Sequence, residues 1–192
     1  MRQTDKKNPS FSEDYNFVAK LNHWITAVLV LTNLALGFHM EHFPGYGHKT
    51  PEWNAVLFYH ASIGMLVLWI TISRLYWRLI HKTPPYPSYM PEWHKKIASL
   101  SHGFIYFCII ALPLSGYAHR LSGGHSPTFF GLFTWPVLLE KNEPIRLLTD
   151  KVHIVLAFSL LALLSLHLLA VIKHALIDKD NILRRMNPFS ND

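Results

Sequence analysis

Thirteen of the 192 residues are histidine. Six lie within or at the ends of long apolar stretches: His23, His60, His102, His153, His167 and His174. The other seven fall in the more polar segments between them, five in the first and third connections (His39, His42, His48, His119, His125) and two in the second (His81, His94). An imidazole in apolar surroundings can be hydrogen-bonded between helices, carry a proton or bind a metal. A single one is read equally well as structural, but six at related depths need a common explanation. His153 and His167 are 14 residues apart, which in a helix is ~21 Å of rise and only ~40° of rotation. The two rings would face the same way, one near each end of the helix.

The stretches that must position these rings dominate the composition. Half of the residues are apolar and 16% are charged, against roughly 25% in soluble domains; the mean hydropathy is +0.16. About 20 mostly apolar residues cross a bilayer. Four runs qualify, at about residues 17–38, 54–76, 97–118 and 152–176. The expected fold is an all-α membrane protein, a four-transmembrane-helix bundle. Pro113, in the third run, is tolerable where neighbours satisfy the freed carbonyl. The first run is too long for a signal peptide and no small-residue cleavage site follows it.

Thirteen Lys and Arg fall on one side of alternate spans and five on the other, so both termini are expected in the cytoplasm. The inside charges meet anionic lipid, which leaves no need for a nucleic-acid partner. The chain divides into an N-terminal tail, 1–16, a membrane domain, 17–178, and a C-terminal tail, 179–192, without repeats. The segment KTPPYPSYMPEW, 82–93, is a proline-stiffened inner loop. The run FFGLFTWPVLL, 129–139, is too short to span. It lies either at the outer interface, where aromatic residues favour the headgroup level, or packed on the helix ends.

Direction sorts the histidines into levels. The first span enters from inside, so His23 is near the inner surface. The second and fourth enter from outside, which puts His60 and His153 at the outer level and His167 at the inner. Two imidazoles per level suit the two axial positions of a haem iron, presented by facing helices of a bundle. Zinc would need a third or fourth ligand at one level, and non-haem iron a carboxylate; the spans contain essentially no Asp or Glu. The single cysteine, Cys108, excludes an internal disulfide, a cysteine-rich metal site and thioether-linked haem. With both axial positions filled, electron transfer is favoured over oxygen activation.

His102, also at the inner level, can displace His23 or His167 as a ligand, or bind a propionate or a quinone oxygen. His174, one heptad after His167 and ~10 Å nearer the cytoplasm, suits an inner quinone or propionate site, or is a solvated residue at a span end. Gly64 would admit a flat macrocycle or a neighbouring helix. Arg74 and Arg78 suit haem propionates or the positive-inside rule, and Trp24, Trp69 and Trp77 suit cofactor sites or interfacial anchoring.

These residues resemble the bacterial cytochrome b561 family. The matching stretches are LNHW (21–24), YHASIGM (59–65), RLYWRL (74–79), SHGFIYF (101–107), ALPLSGY (111–117), FFGLF (129–133) and the run from His153 to Met186. Their order and spacing, from about Leu21 to Pro188, are more specific than any one of them. The resemblance implies a four-span protein of the bacterial inner membrane with two b-type haems. His23 with His167 would hold the inner one and His60 with His153 the outer, the pairs that orientation alone reached. It also implies quinone contact at His174.

The function so implied is an electron-transfer oxidoreductase between an outer-side donor and the quinone pool, with ubiquinone as acceptor or donor. One kind of member oxidises superoxide. Steering of that anion is not evident here, because the outer segments carry five basic and five acidic residues, although Arg120 with protonated histidines could supply it locally. The ascorbate-linked eukaryotic relatives of similar name have six spans, so that activity is not carried over. A second reading is a haem-bearing membrane-anchor subunit of a larger respiratory complex. A third is a transporter or structural protein whose histidines bind metal or protons. A homodimer and a docked redox subunit are both compatible with the sequence.

Overall fold

The computed structural model describes residues 15–42, 50–180 and 182–189. Most of the N-terminal tail and His48 lie outside the described residues. Four long helices form the fold: α1 (Phe17–His42), α2 (Pro51–Ile80), α3 (Glu92–Ser122) and α4 (Glu143–Lys173). All four are long and apolar enough to cross a membrane.

Each helix outruns its apolar stretch, and polar residues cap the starts of α2 and α4. Thr50 accepts a hydrogen bond from Trp53 N at 3.2 Å, with Pro51 following. Asn142 does the same for Ile145 N at 3.1 Å, with Pro144 in the first turn. A capping side chain answers a backbone N–H that the helix cannot, and proline there loses nothing. α4 therefore starts nine residues before the run at 152. The same lengthening takes His39, His42 and His119 out of the loops into last helical turns, while His94 opens α3 and His81 caps α2.

α1 packs on α2, α2 on α3 and α3 on α4, and Phe38 meets Phe158 edge-to-face across α1 and α4. One apolar layer draws on every helix: Val30, Val67, Cys108, Ile109 and Leu160. Most other large apolar side chains point outward and are exposed. A folded chain leaves such a belt only where its surroundings are apolar too.

The run 129–139 packs along the side of α2. It begins with a two-stranded hairpin, β1 (Thr128–Phe129) and β2 (Phe133–Thr134). Phe130 and Gly131 turn it at φ 47° and 73°, the positive-φ pair of mirror-image turns. Ser62, fully buried, donates to Thr128 O at 3.4 Å and accepts from Phe130 N at 3.0 Å. Ser62 is about 16 Å along α2 from Pro51. Further down, Trp135 stacks on Trp69, with ring centres 6.4 Å apart, and Tyr117 donates to Pro136 O. A backbone edge this deep needs a polar partner, and Ser62 supplies it. Ser62→Ala should leave the Phe130 N–H unsatisfied at a cost of about 1–3 kcal/mol. Hydrogen exchange at Phe130 should then accelerate sharply; unchanged exchange would refute the tie.

The opposite end is also clasped. Trp24 Nε1 donates to Met186 O at 2.8 Å. Arg185, buried, donates to Pro85 O at 2.9 Å and lies over the Tyr15 ring. The described part of the C-terminal tail thus joins α1 to the proline-stiffened loop.

Candidate haem-binding tiers

Each helix carries two marked positions 14 residues apart: His23 and Gly37, His60 and Arg74, His102 and Gly116, His153 and His167. The bundle aligns them into two tiers. The tier nearer the hairpin holds His60, His153 and the two glycines. The tier nearer the termini holds His23, His102, His167 and Arg74. Leu160, almost fully buried, lies seven residues from each α4 histidine, so the apolar layer separates the tiers.

In the hairpin-side tier the same device occurs twice. His60 Nδ1 donates to Asn33 O at 3.1 Å, and its ring packs where a Cβ on Gly37 would come within 3.2 Å. His153 Nδ1 donates to Leu112 O at 3.1 Å, with Ser115 Oγ at 2.9 Å. A Cβ on Gly116 would come within 3.1 Å of that ring. Each glycine lies four residues after the accepting carbonyl. Helical side chains lean toward the N-terminus over the preceding turn, so any larger residue would cover that oxygen.

The bond at Nδ1 fixes the tautomer and leaves the Nε2 lone pair for a metal, as is usual for ligating histidines. The two ring centres are 6.1 Å apart. An imidazole nitrogen sits about 2 Å from a metal centre, so two rings flanking one ion have centres roughly 6 Å apart. That spacing would let His60 and His153 hold one metal centre, a haem iron among them, between their rings. Nothing else at this tier offers the third or fourth ligand that zinc needs: the described residues hold one group of three or more potential ligands in mutual reach, His174 with Asp178 and Asp180.

The termini-side tier is built differently. His102 and His167 have ring centres 5.5 Å apart at 65°, and His23 is within electrostatic range of both. Arg74 Nη2 donates to His23 Nδ1 at 3.1 Å. An arginine cannot accept, so the His23 ring proton sits on Nε2, the nitrogen an iron would use. Ligation at His23 needs that proton moved and Arg74 turned aside. Arg74 and Arg78 both lie over the Tyr106 ring, at 5.5 and 5.9 Å. Thr71 Oγ and Trp77 Nε1 are buried without a hydrogen-bond partner among the described residues, two donors available to an anionic group. The three histidines that the sequence sets at one level are together, then, with His102 against His167 and His23 within electrostatic range of both.

The family comparison decides what this scaffold is. Residues 14–188 match the family model described as prokaryotic cytochrome b561. The chain belongs to the prokaryotic cytochrome b561 family. "Cytochrome b561 homolog 2" of Escherichia coli K12 is 33% identical over 178 residues, covering 91% of each chain. "Cytochrome b561 homolog 1" of the same organism is 31% identical over 166 residues, 86% of this chain and 92% of that one. "Probable superoxide oxidase CybB" of Yersinia pestis is 29% identical over 167 residues, 86% and 91%. Membership makes this a multi-pass bacterial membrane protein of electron transfer, and b-type haem is the cofactor the family implies.

Against that identity, the remaining sequence candidates divide. Gly64 faces the Asn33 side chain, where a Cβ would come within 3.3 Å, so it serves α1–α2 packing. Arg74 is inside the tier while Arg78 is exposed. His42, His81 and His119 bond to backbone carbonyls at 2.9–3.1 Å, outside both tiers. His174 stands apart, with Asp178 and Asp180. The sequence reading missed Gly37, Gly116, Asn33, Leu112 and Ser115.

Proposed function

We propose that this b561-family chain is a dihaem cytochrome of the inner membrane, passing electrons one at a time between an outer-face donor and the quinone pool. The observation that carries it is the hairpin-side tier, two imidazoles 6.1 Å apart with both Nδ1 atoms tied to carbonyls. His60 and His153 would hold one haem. His23 and His167 would hold the second, with His102 backing His167 and the Arg74 charge answering the haem carboxylates. When bound, the haems supply the one-electron redox steps. The chain sets ligand, orientation and spacing, and its apolar layer keeps water from between the tiers.

The excess of positive charge at the termini end supports a cytoplasmic location for that end and an outward-facing hairpin. A cavity of about 140 Å³ opens at the hairpin end, lined by Asn54, Phe58, Arg120, Ser126 and Thr128 among others. One cationic and several neutral hydrogen-bonding groups in so small a space suit a small anion. Superoxide as donor fits this cavity, and the name of the Yersinia pestis relative points the same way. Ubiquinone would react at the termini end, near His174.

The test is the haem-loaded protein in liposomes containing ubiquinone. Superoxide generated outside should reduce the haem bands and then yield quinol. Arg120→Gln should slow the first step several-fold at low ionic strength, with less effect at high salt. Haem bands that stay oxidised under superoxide would refute this donor. Co-purification with a large redox subunit that reduces the bands instead would favour the membrane-anchor reading.

A further inference from the structure

The end of the fourth helix is wound differently from the rest. His174–Asp178 form a π turn, closed by Lys179 in the left-handed region at φ 51°. The wider turn brings two carboxylates onto one imidazole. His174 Nδ1 lies 2.7 Å from Asp180 Oδ2 and 3.2 Å from Asp178 Oδ2. One nitrogen and two oxygen donors are thus within 4.8 Å of one another. They are not a solvated acidic patch, because the His174, Asp178 and Asp180 side chains are only 22%, 31% and 11% exposed. A cavity of about 310 Å³ opens beside them, lined also by Tyr89, His94 and Lys173.

Donor type and spacing select the occupant. An imidazole with carboxylates suits a borderline divalent ion such as zinc, whereas calcium and magnesium take oxygen ligands throughout. Zinc holds nitrogen and oxygen at about 2.0–2.2 Å in a tetrahedron, so neighbouring donor atoms stand roughly 3.3 Å apart. The 3.2 Å separation is already close to that edge, and the 2.7 Å one needs to widen by about half an ångström. Outer partners hold one of the carboxylates in place. Asp180 Oδ1 accepts from Ile182 N at 3.2 Å, and Tyr89 bonds to the same group, as hydrogen bonds behind metal ligands do. The cavity supplies an entry path and room for water as a fourth ligand. One group competes. Lys173 Nζ lies 2.8 and 2.5 Å from the two Asp178 oxygens. Its side chain is half exposed, so it can swing into water when an ion arrives.

We propose that His174, Asp178 and Asp180 form a binding site for a zinc-class divalent cation at the termini end of the bundle, built from residues outside both haem tiers. The ion takes the place of the proton between Nδ1 and the carboxylates. The neutral ring then carries its proton on Nε2, and Nδ1, one Asp178 oxygen and one Asp180 oxygen face the metal. Water from the cavity completes the shell, the three-ligand arrangement of an open zinc site. Lys173 is a built-in competitor that holds the affinity below what the three donors alone would give. The site depends neither on the haems nor on the quinone reading above.

Zinc chloride titrated into the haem-loaded, detergent-purified protein tests this, followed by calorimetry and by absorption at the zinc K-edge. One saturable ion per chain is expected, ligated by nitrogen and oxygen without sulfur. Asp180→Asn and Asp178→Asn should each weaken binding at least about tenfold. Lys173→Gln should tighten it several-fold, because the competing charge is gone. His42→Gln, in the last turn of α1, should leave it unchanged. An unaltered haem spectrum in each variant shows that the bundle is intact. If an aspartate variant loses its haem, Lys173→Gln decides the matter instead. Zinc binding that survives both aspartate substitutions overturns the site, since another histidine then holds the ion. So does binding in Lys173→Gln no tighter than in wild type, or wild-type protein that takes up no saturable zinc.

Discussion

His153→Ala should yield a folded protein with one haem fewer. Its reduced-minus-oxidised absorbance in the b-haem region should fall by about half, because one of two bis-histidine centres loses an axial ligand. His60→Ala should give the same product. The remaining centre should keep its spectrum, since the apolar layer of Val30, Val67 and Leu160 separates the tiers. His23→Ala and His167→Ala should spare the hairpin-side centre and remove the other. His102→Ala discriminates most sharply within the termini-side tier. Its ring centre is 5.5 Å from that of His167, yet its proposed place is behind the ligand. It should shift the spectrum without removing the haem. If His102→Ala removes it and His23→Ala does not, the ligand pair there is His102 with His167.

Gly116→Val should abolish the hairpin-side haem as completely as His153→Ala, although no ligand is replaced. A Cβ at Gly116 would approach the His153 ring to 3.1 Å, and the branched side chain would also cover Leu112 O, which His153 needs for its tautomer. Overpacking of this kind costs about 1–3 kcal/mol, and losing the hydrogen bond in a buried place costs about as much again. Gly37→Val should act in the same way through His60 and Asn33 O. Alanine is the graded control: in a helix it is about 1 kcal/mol better than glycine. Gly116→Ala should therefore keep the helix intact while weakening haem retention. Haem content measured after detergent extraction separates these outcomes. Full occupancy in Gly116→Val would mean that the glycines serve helix packing alone.

The tiers were legible in the sequence because a spacing of 14 residues is nearly four helical turns, and because orientation follows from loop charges. That logic placed His60 with His153 and gathered His23 and His167 at the other level. It preferred His23 and kept His102 as a possible substitute, since sequence depth does not say which rings are adjacent across the bundle. The partners of the ligands were missed for a related reason. Gly37 lies 14 residues after His23, and Gly116 14 after His102, so the repeat that marks the histidines also marks the glycines. A glycine inside an apolar helix carries a cost that asks for a reason, and the reason appears only when the opposing ring is seen. The hairpin was illegible because its anchor is one serine on another helix. Ser62 has no pattern of its own, and composition alone suggests an interfacial segment. Asp178 fell at the last position of the membrane domain and Asp180 in the tail, since nothing in HALIDKD announces that the turn widens and brings both to His174.

The most direct test of two stacked haem tiers is a dithionite-reduced minus oxidised spectrum of the purified protein, with haem per chain from a pyridine haemochrome assay. Two low-spin b haems per chain are expected. One would mean that a tier serves another purpose, and the histidine variants would identify it. None, in protein made with ample haem, would contradict haem ligation at both tiers.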